Sequence, residues 1–398
     1  MSIDLIEEEL RRPTVFKDET KLSVSYVPDR LPHREKELKK LIQFFKAVIE
    51  QPGTVSQKVI IAGNVGSGKT AMSKLFGHWM ERVAQHRGIN LKYVHVNCRR
   101  KKTSFLTLVN IVRAINPHIP QRGFSSGELL QILTELLDRR DLNVIVALDE
   151  IDSIPEEERQ ELIYGLTRFA DDEFNSSQRL SLILIAKNLF FDELDPSVSS
   201  TLQHNILNLQ EYDAPQLYDI LEARSRDAFY IAAMSIKALR LISDIASELG
   251  DARYALELLW RAGKYADEER TLRVCPEHVR RAKADIYPTI RKEVLVDLSL
   301  HEKLLLLSIA RHLRRTQAAY TMMGKIKQVY NIVCEEYETQ PLAHTQLWEY
   351  IRILNKHGII ATKLSGKGMR GKTTLISLLD APTTIIENEL ITLLEEKK

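Results

Sequence analysis

Gly63-Asn64-Val65-Gly66-Ser67-Gly68-Lys69-Thr70, directly after the apolar stretch Lys58–Ala62, is the run whose reading decides the fold. It fits the pattern G-x4-G-K-[ST]. The glycines let the backbone curl so that successive N–H groups point at phosphate oxygens. Lys69 brings a cation to the terminal phosphates, and the Thr70 hydroxyl is a ligand for Mg²⁺. A helix opening at this point adds its positive N-terminal end. The spacing therefore predicts a phosphate-binding loop between a buried strand and a helix.

A second stretch satisfies the same expression: Gly366-Lys367-Gly368-Met369-Arg370-Gly371-Lys372-Thr373. Context separates the two. The β-branched, strand-like run 373–379 follows the second match, and then Pro382, where a phosphate loop needs a helix. It reads as the basic tip of a hairpin. The partner motif supports the first match. Val144-Ile145-Val146-Ala147-Leu148-Asp149-Glu150 is an apolar strand ending in two carboxylates. Asp149 is the expected metal-binding carboxylate, directly or through water, and Glu150 the expected general base. Asn188 follows another apolar strand, Leu180–Ala186, where an amide can orient the attacking water.

Around these motifs the pattern alternates. Strands are expected at 58–62, 91–97, 143–148 and 180–186, with helices from 69, over 127–138 and over 156–170. Continuous apolar strands separated by helices indicate an α/β domain with a parallel sheet covered on both faces. From Ala214 to about Lys292 the pattern is purely helical. After Leu295 come three helices, then strands at 359–364 and 373–379 around the Gly-rich turn, as in winged helices. The segment His344–His357 is the expected recognition helix. At 100° per residue Leu347, Ile351 and Leu354 share a core face, with Thr345, Arg352 and Lys356 opposite. Those three, with Lys367, Gly368, Arg370 and Lys372 of the hairpin tip, are the candidate DNA contacts.

Composition sets the outer limits. The chain has 398 residues, 44% hydrophobic and 28% charged, enough for two or three folded domains. No apolar run reaches the ~18 residues of a membrane span, and the acidic N-terminus does not read as a signal peptide. Cys98, Cys275 and Cys334 are far apart and form no CxxC pair. That argues against zinc and disulfide frameworks and fits a reducing compartment. Net charge is only +2, yet His301 to Lys372 holds twelve Lys/Arg against five Asp/Glu. A basic region in a near-neutral chain suits a phosphate backbone.

With these motifs in place, the chain resembles the archaeal origin-recognition and cell-division-control initiator family. Tyr26-Val27-Pro28-Asp29-Arg30-Leu31-Pro32-His33-Arg34-Glu35 and Gly250-Asp251-Ala252-Arg253-Tyr254-Ala255-Leu256 are its most discriminating stretches. The resemblance covers roughly residues 20 to 380. It implies an AAA+ nucleotide-binding domain over 1–210, a helical lid over 211–292 and a winged-helix domain over 293–398. It also implies bound ATP or ADP with Mg²⁺, weak ATPase activity, and double-stranded origin DNA as ligand. The replicative helicase and related initiator paralogues are the implied partners, and the implied location is cytoplasmic and nucleoid-associated. Arg253 is similar to the family's lid arginine that reads the terminal phosphate. Val27, Pro28 and Arg34 would lie near the adenine. The segment 161–178 matches a family insertion that touches DNA. One departure stands out: Asp195-Pro196-Ser197-Val198 carries serine where the family has its candidate arginine finger. A finger contributes roughly 10³–10⁵ in turnover where it operates. Arg168, Arg179 and Arg224 are the alternative cations.

Overall fold

The computed structural model describes residues 7, 10–100, 103–167, 178–188, 205–286, 292–365, 373–378 and 381–395. Its contacts separate two compact units. One comprises Val27–Tyr212 with Gly250–Ala252; the other comprises Met1–Tyr26, Asp213–Leu249 and Arg253–Lys398.

In the first unit the described helices are α1 (Glu35–Glu50), α2 (Lys69–His86), α3 (Ser104–Ile115), α4 (Ser126–Arg139) and α5 (Glu156–Thr167). They cover a sheet of β1 (Lys58–Gly63), β2 (Leu91–Asn97), β3 (Asn143–Asp149), β4 (Leu180–Ala186) and β5 (Ile206–Leu209). The strand order is β2-β3-β4-β1-β5, and every pair is parallel. All seven residues of β3 and of β4 are buried. Alternation along each strand feeds two separate cores. Val144, Val146, Leu148, Leu182 and Leu184 face α3, α4 and α5. Ile145, Ala147, Ile183 and Ile185 face α1 and α2. An uninterrupted apolar strand is therefore what each central position requires. The register sets Asn97 beside Asp149, and Asp149 beside Ile185. The carboxyl ends of β1, β2, β3 and β4 thus line up along one edge, where α/β sheets place their ligands.

The second unit is built on α6 (Ala214–Ala228), α7 (Ile236–Ser247), α8 (Ala252–Glu268) and α9 (Pro276–Ile286). It continues through α10 (Lys292–Asp297), α11 (Leu300–Thr316), α12 (Met323–Glu336), α13 (His344–Lys356) and α14 (Thr383–Glu395). The small antiparallel sheet β6 (Thr321–Met322), β7 (Ala361–Leu364) and β8 (Thr374–Ser377) has the order β6-β8-β7. Leu347, Ile351 and Leu354 of α13 join α11, α12 and α14 in one core, as the helical period predicts.

The N-terminal segment departs from the expectation that it belongs with the sheet. The Val15 amide donates to Asp267 at 2.7 Å, and the Lys17 amide to the Ala228 carbonyl at 2.8 Å. Phe16 stacks against Phe229 with ring centroids 4.7 Å apart. Residues 14–26 thus brace helices α6 and α8. The reason is chemical: Val15 and Phe16 are apolar and need a buried partner, which the lid supplies at Phe229.

Candidate functional site

The phosphate loop begins where β1 ends. Ser67 closes it, its hydroxyl donating to the Asn64 carbonyl at 2.8 Å. Gly66 and Gly68 stand at φ 77° and 93°, in the left-handed region that side chains disfavour. Neither position has room for a Cβ. At Gly66 it would lie 1.8 Å from Asp251 Oδ1, and at Gly68 2.8 Å from the Tyr212 hydroxyl. Gly68 is also the N-cap of α2, an 18-residue helix whose first turn faces the loop. The Lys69 ammonium donates to the carbonyls of Gly63 and Asn64, the latter at 2.8 Å. A glycine-lined turn, a helix N-terminus and an ammonium together make a cradle for phosphate oxygens.

Arg34 holds the loop in place. It is only 3% exposed. Its Nε donates to the Ser67 carbonyl at 3.0 Å, and Nη2 to the Gln210 carbonyl at 2.5 Å. The guanidinium lies 4.0 Å from the centre of the Tyr212 ring. Arg34, expected near an adenine, thus contacts the loop backbone. Val27 packs against the core face of α1 and α2, and Pro28 is half-buried beside it.

Asp149 and Glu150 sit at the end of β3, as the motif requires. The Thr70 hydroxyl donates to Asp149 Oδ2 at 2.8 Å. His95 Nε2 lies 3.3 Å from the same oxygen. The other ring nitrogen of His95 is 3.2 Å from the Tyr93 hydroxyl, which is 2.8 Å from Ser73 Oγ. Burial raises the pKa of the Tyr93 phenol. Burial also pushes the Cys98 thiol up to about 12, with Asp149 adding to the effect. Cys98 therefore stays a neutral thiol. Among the described residues no group of three His, Cys, Asp or Glu side chains gathers to hold a metal. Thr70 and Asp149 offer the hard oxygen donors that suit Mg²⁺ when phosphate and water complete the shell.

Glu150 stands at φ 55°, ψ 43°, a left-handed conformation unusual for this residue. Asn97 secures its side chain, Nδ2 donating to Oε2 at 3.3 Å. The Asn97 amide orientation is fixed in turn, because Oδ1 accepts the Arg100 N–H at 3.2 Å. Lys187 donates its amide to Asp152 at 3.1 Å and accepts the Gly63 N–H at 3.3 Å. The exposed Asn188 follows immediately. The first unit also includes Gly250–Ala252. The Ala252 amide donates to the Gly66 carbonyl at 3.3 Å, and the Asn64 amide to Glu211 at 2.5 Å.

Asn97, His95, Glu211 and Tyr212 escaped the sequence reading, and so did the contact of Asp251, from the Gly250–Leu256 stretch, with the loop. Asn97 and His95 reach Glu150 and Asp149 from the neighbouring strand, and Glu211, Tyr212 and Asp251 reach the loop across a long chain separation; only the tertiary fold announces such contacts. Arg253 is exposed in the first turn of α8. Thr345, Arg352 and Lys356 are exposed on α13. Lys367, Gly368, Arg370 and Lys372 lie outside the described residues, as do Arg168, Ser197 and most of 161–178. The Ser365 amide donates to the Thr373 carbonyl at 2.8 Å, and β8 follows. The second glycine-rich match therefore opens onto a strand. Of the alternative finger cations, Arg179 is ion-paired with Asp138 and Asp141, the latter at 2.6 Å. Arg224 is buried and donates to the carbonyls of Lys21 and Tyr26.

Comparison with known proteins agrees with this geometry. Three family models match in succession: an AAA domain over residues 56–194, a Cdc6 AAA+ ATPase-type lid domain over 218–284, and the CDC6 C-terminal winged helix domain over 293–388. The ORC1-type DNA replication protein 2 of Sulfurisphaera tokodaii is 38% identical over 94% of this chain and 92% of its own. The crystal structure of Cdc6p from Pyrobaculum aerophilum superposes with a TM-score of 0.82 at 28% identity, covering 96% of this chain and 99% of its own. The Aeropyrum pernix ORC1 protein, solved in complex with DNA, is 34% identical with a TM-score of 0.62, covering 95% and 97%. The chain belongs to the archaeal Orc1/Cdc6 family of AAA+ DNA replication proteins.

Proposed function

We propose that this protein is an ATP-dependent replication initiator: it binds ATP or ADP with Mg²⁺ at residues 63–70, turns ATP over slowly, and holds double-stranded origin DNA with its winged helix. The observation that carries the reading is the 2.8 Å bond from Thr70 to Asp149, beside a Glu150 that Asn97 holds in place. Thr70 and Asp149 would hold the cation, which supplies charge neutralisation at the phosphates. Glu150 accepts the proton of the attacking water, and Asn188 orients that water. Arg253 directly follows the Asp251–Ala252 pair that touches the loop, which favours it as the arginine that reads the terminal phosphate. Lid and winged-helix boundaries at 211–292 and 293–398 fit the matched families, with 14–26 as a brace on the lid.

The exposed Thr345, Arg352 and Lys356, with Lys367, Gly368, Arg370 and Lys372 of the hairpin tip, supply duplex contacts. The Aeropyrum relative solved with DNA supports this assignment. Initiator paralogues, a recruited replicative helicase and a nucleoid location follow from the same reading. Among the described residues no helix is long and apolar enough to cross a membrane. Fluorescence anisotropy on origin duplex tests the DNA half. Arg352→Ala and Lys356→Ala lower affinity, each reducing the salt slope by about 0.9 if it meets one phosphate. An unchanged slope in both removes α13 from the interface.

A second reading has its own observation. Ser197 replaces the expected finger arginine, while Arg179 and Arg224 are engaged elsewhere. A nucleotide-locked DNA-binding regulator with negligible turnover fits that pattern. Single-turnover hydrolysis separates the two. Slow initiator chemistry predicts that Glu150→Gln is slower than wild type by roughly 10²–10⁴; equal, negligible rates favour the locked regulator.

A further inference from the structure

We infer that His95 is a positioning residue for Asp149, giving the metal-binding carboxylate a second hold beside Thr70. The inference rests on the reading of Asp149 as a ligand of Mg²⁺. Its physical basis is a closed circuit of side chains. Ser73 Oγ and the Tyr93 hydroxyl are 2.8 Å apart, Tyr93 and His95 Nδ1 3.2 Å, and His95 Nε2 and Asp149 Oδ2 3.3 Å. The Thr70 hydroxyl returns to the same oxygen at 2.8 Å. The circuit leaves α2 at Ser73, crosses β2 and the end of β3, and re-enters α2 at Thr70, three residues earlier.

Direction is set by what each group can do. The carboxylate only accepts, so His95 presents Nε2–H to it. Nδ1 then accepts, and the Tyr93 O–H is its donor. Ser73 donates to the phenol oxygen. From Ser73 through Tyr93 and His95 the donors all point toward Asp149, which accepts from Thr70 on the other arm, an arrangement in which each bond of the longer arm polarises the next. The ring is 16% exposed and the carboxylate 3%, so water competes little.

Thr70 alone fixes Asp149 through one bond. Its hydroxyl keeps that proton when a lone pair meets the cation, so the bond can persist, but a single bond leaves the carboxylate free to turn about it. His95 supplies a second fixed donor to the same oxygen. His95 comes from a different strand and makes no claim on the cation. Groups that orient metal ligands in this way are typically worth 10–100-fold in metal affinity or activity. A histidine that merely fills the edge of the core would affect folding and nucleotide binding alike, with or without metal.

The test is a titration of the full chain with a fluorescent ADP analogue, in Mg²⁺ and in EDTA. The variants are His95→Ala, His95→Gln and Asp149→Asn. The gain in affinity on adding Mg²⁺ is expected to shrink about tenfold in His95→Ala, with EDTA affinity unchanged. His95→Gln, whose amide can donate to Oδ2, should recover much of the gain. The inference is overturned if His95→Ala keeps the wild-type gain, or if its affinity falls equally in both media. Asp149→Asn separates the layers. If it too keeps the wild-type gain, the metal reading of Asp149 fails. If it loses the gain while His95→Ala keeps it, only the role of His95 falls.

Discussion

Burying a guanidinium costs several kcal/mol unless its N–H groups find oxygens. Arg34 meets that condition with the carbonyls of Ser67 and Gln210, one in the phosphate loop and one just beyond β5. Its role is therefore to tie two backbone segments that strand pairing leaves separate at this height. Removing it strands both carbonyls, each worth about 1–3 kcal/mol if left without a donor. Arg34→Ala is accordingly expected to lower stability by about 2–4 kcal/mol, seen in urea as a reduced midpoint at constant slope. Arg34→Lys should recover little, since an ammonium is a point donor and cannot span a fork of acceptors. Nucleotide affinity should fall in both variants, because the Ser67 peptide sits in the turn that shapes the cradle.

At the scale of elements, α13 shows how one helix divides its work. Ile351 is 1% exposed and packs in the core, while its neighbour Arg352 is exposed. Ile351→Ala should cost about 2–4 kcal/mol; Arg352→Ala should fall within about 0.5 kcal/mol of wild type. Thermal or urea unfolding of the pair checks this, and the contrast between adjacent residues is the informative result. This division was legible beforehand because period and burial are local properties. So were β1, β3 and β4, whose apolar runs match their buried positions, and the carboxylates that end β3. Contacts made by convergence were not legible. Asn97 meets Glu150 only because β2 lies beside β3, and Asp251 lies against Gly66 across 185 residues of chain. The attachment of 14–26 to the lid is of the same kind: Phe16 carries no mark that its partner is Phe229. The hydrophobic pattern says that a residue will be buried; topology decides against what.

On the scale of the whole molecule, a buried arginine helps to join the lid to the winged helix, beside Asp244, which meets Tyr320 and Lys363. Arg280 of α9 is fully buried. Its Nε donates to the Leu378 carbonyl at 2.8 Å, and Nη2 to those of Ala318 and Ala319 at 2.9 and 3.1 Å. Glu277, one turn earlier, pairs with Arg280 at 3.2 Å and accepts the Thr383 N–H at 2.6 Å. A helix of the lid thus supplies donors to the backbone just beyond β8 and on the approach to β6, and an acceptor to the start of α14. Burial alone would pull the guanidinium pKa down, and Glu277 opposes that pull. The pair ties lid and winged helix together through buried polar contacts. If nucleotide and DNA influence each other, this joint is one route between lid and winged helix, beside the contacts of Asp244 with Tyr320 and Lys363, and the effect must be reciprocal: DNA tightens ADP binding by the factor by which ADP tightens DNA binding. Arg280→Ala removes a donor from three carbonyls, of which only those of Ala319 and Leu378 have the Ser377 hydroxyl nearby, and leaves Glu277 without its cation. It is expected to split the unfolding of this unit into two transitions by calorimetry. It should also lower the nucleotide–DNA coupling factor, measured by anisotropy with and without ADP. The intrinsic ADP affinity, which the proposed function assigns to residues 63–70 in the other unit, should stay as it was, which distinguishes a broken joint from a damaged site.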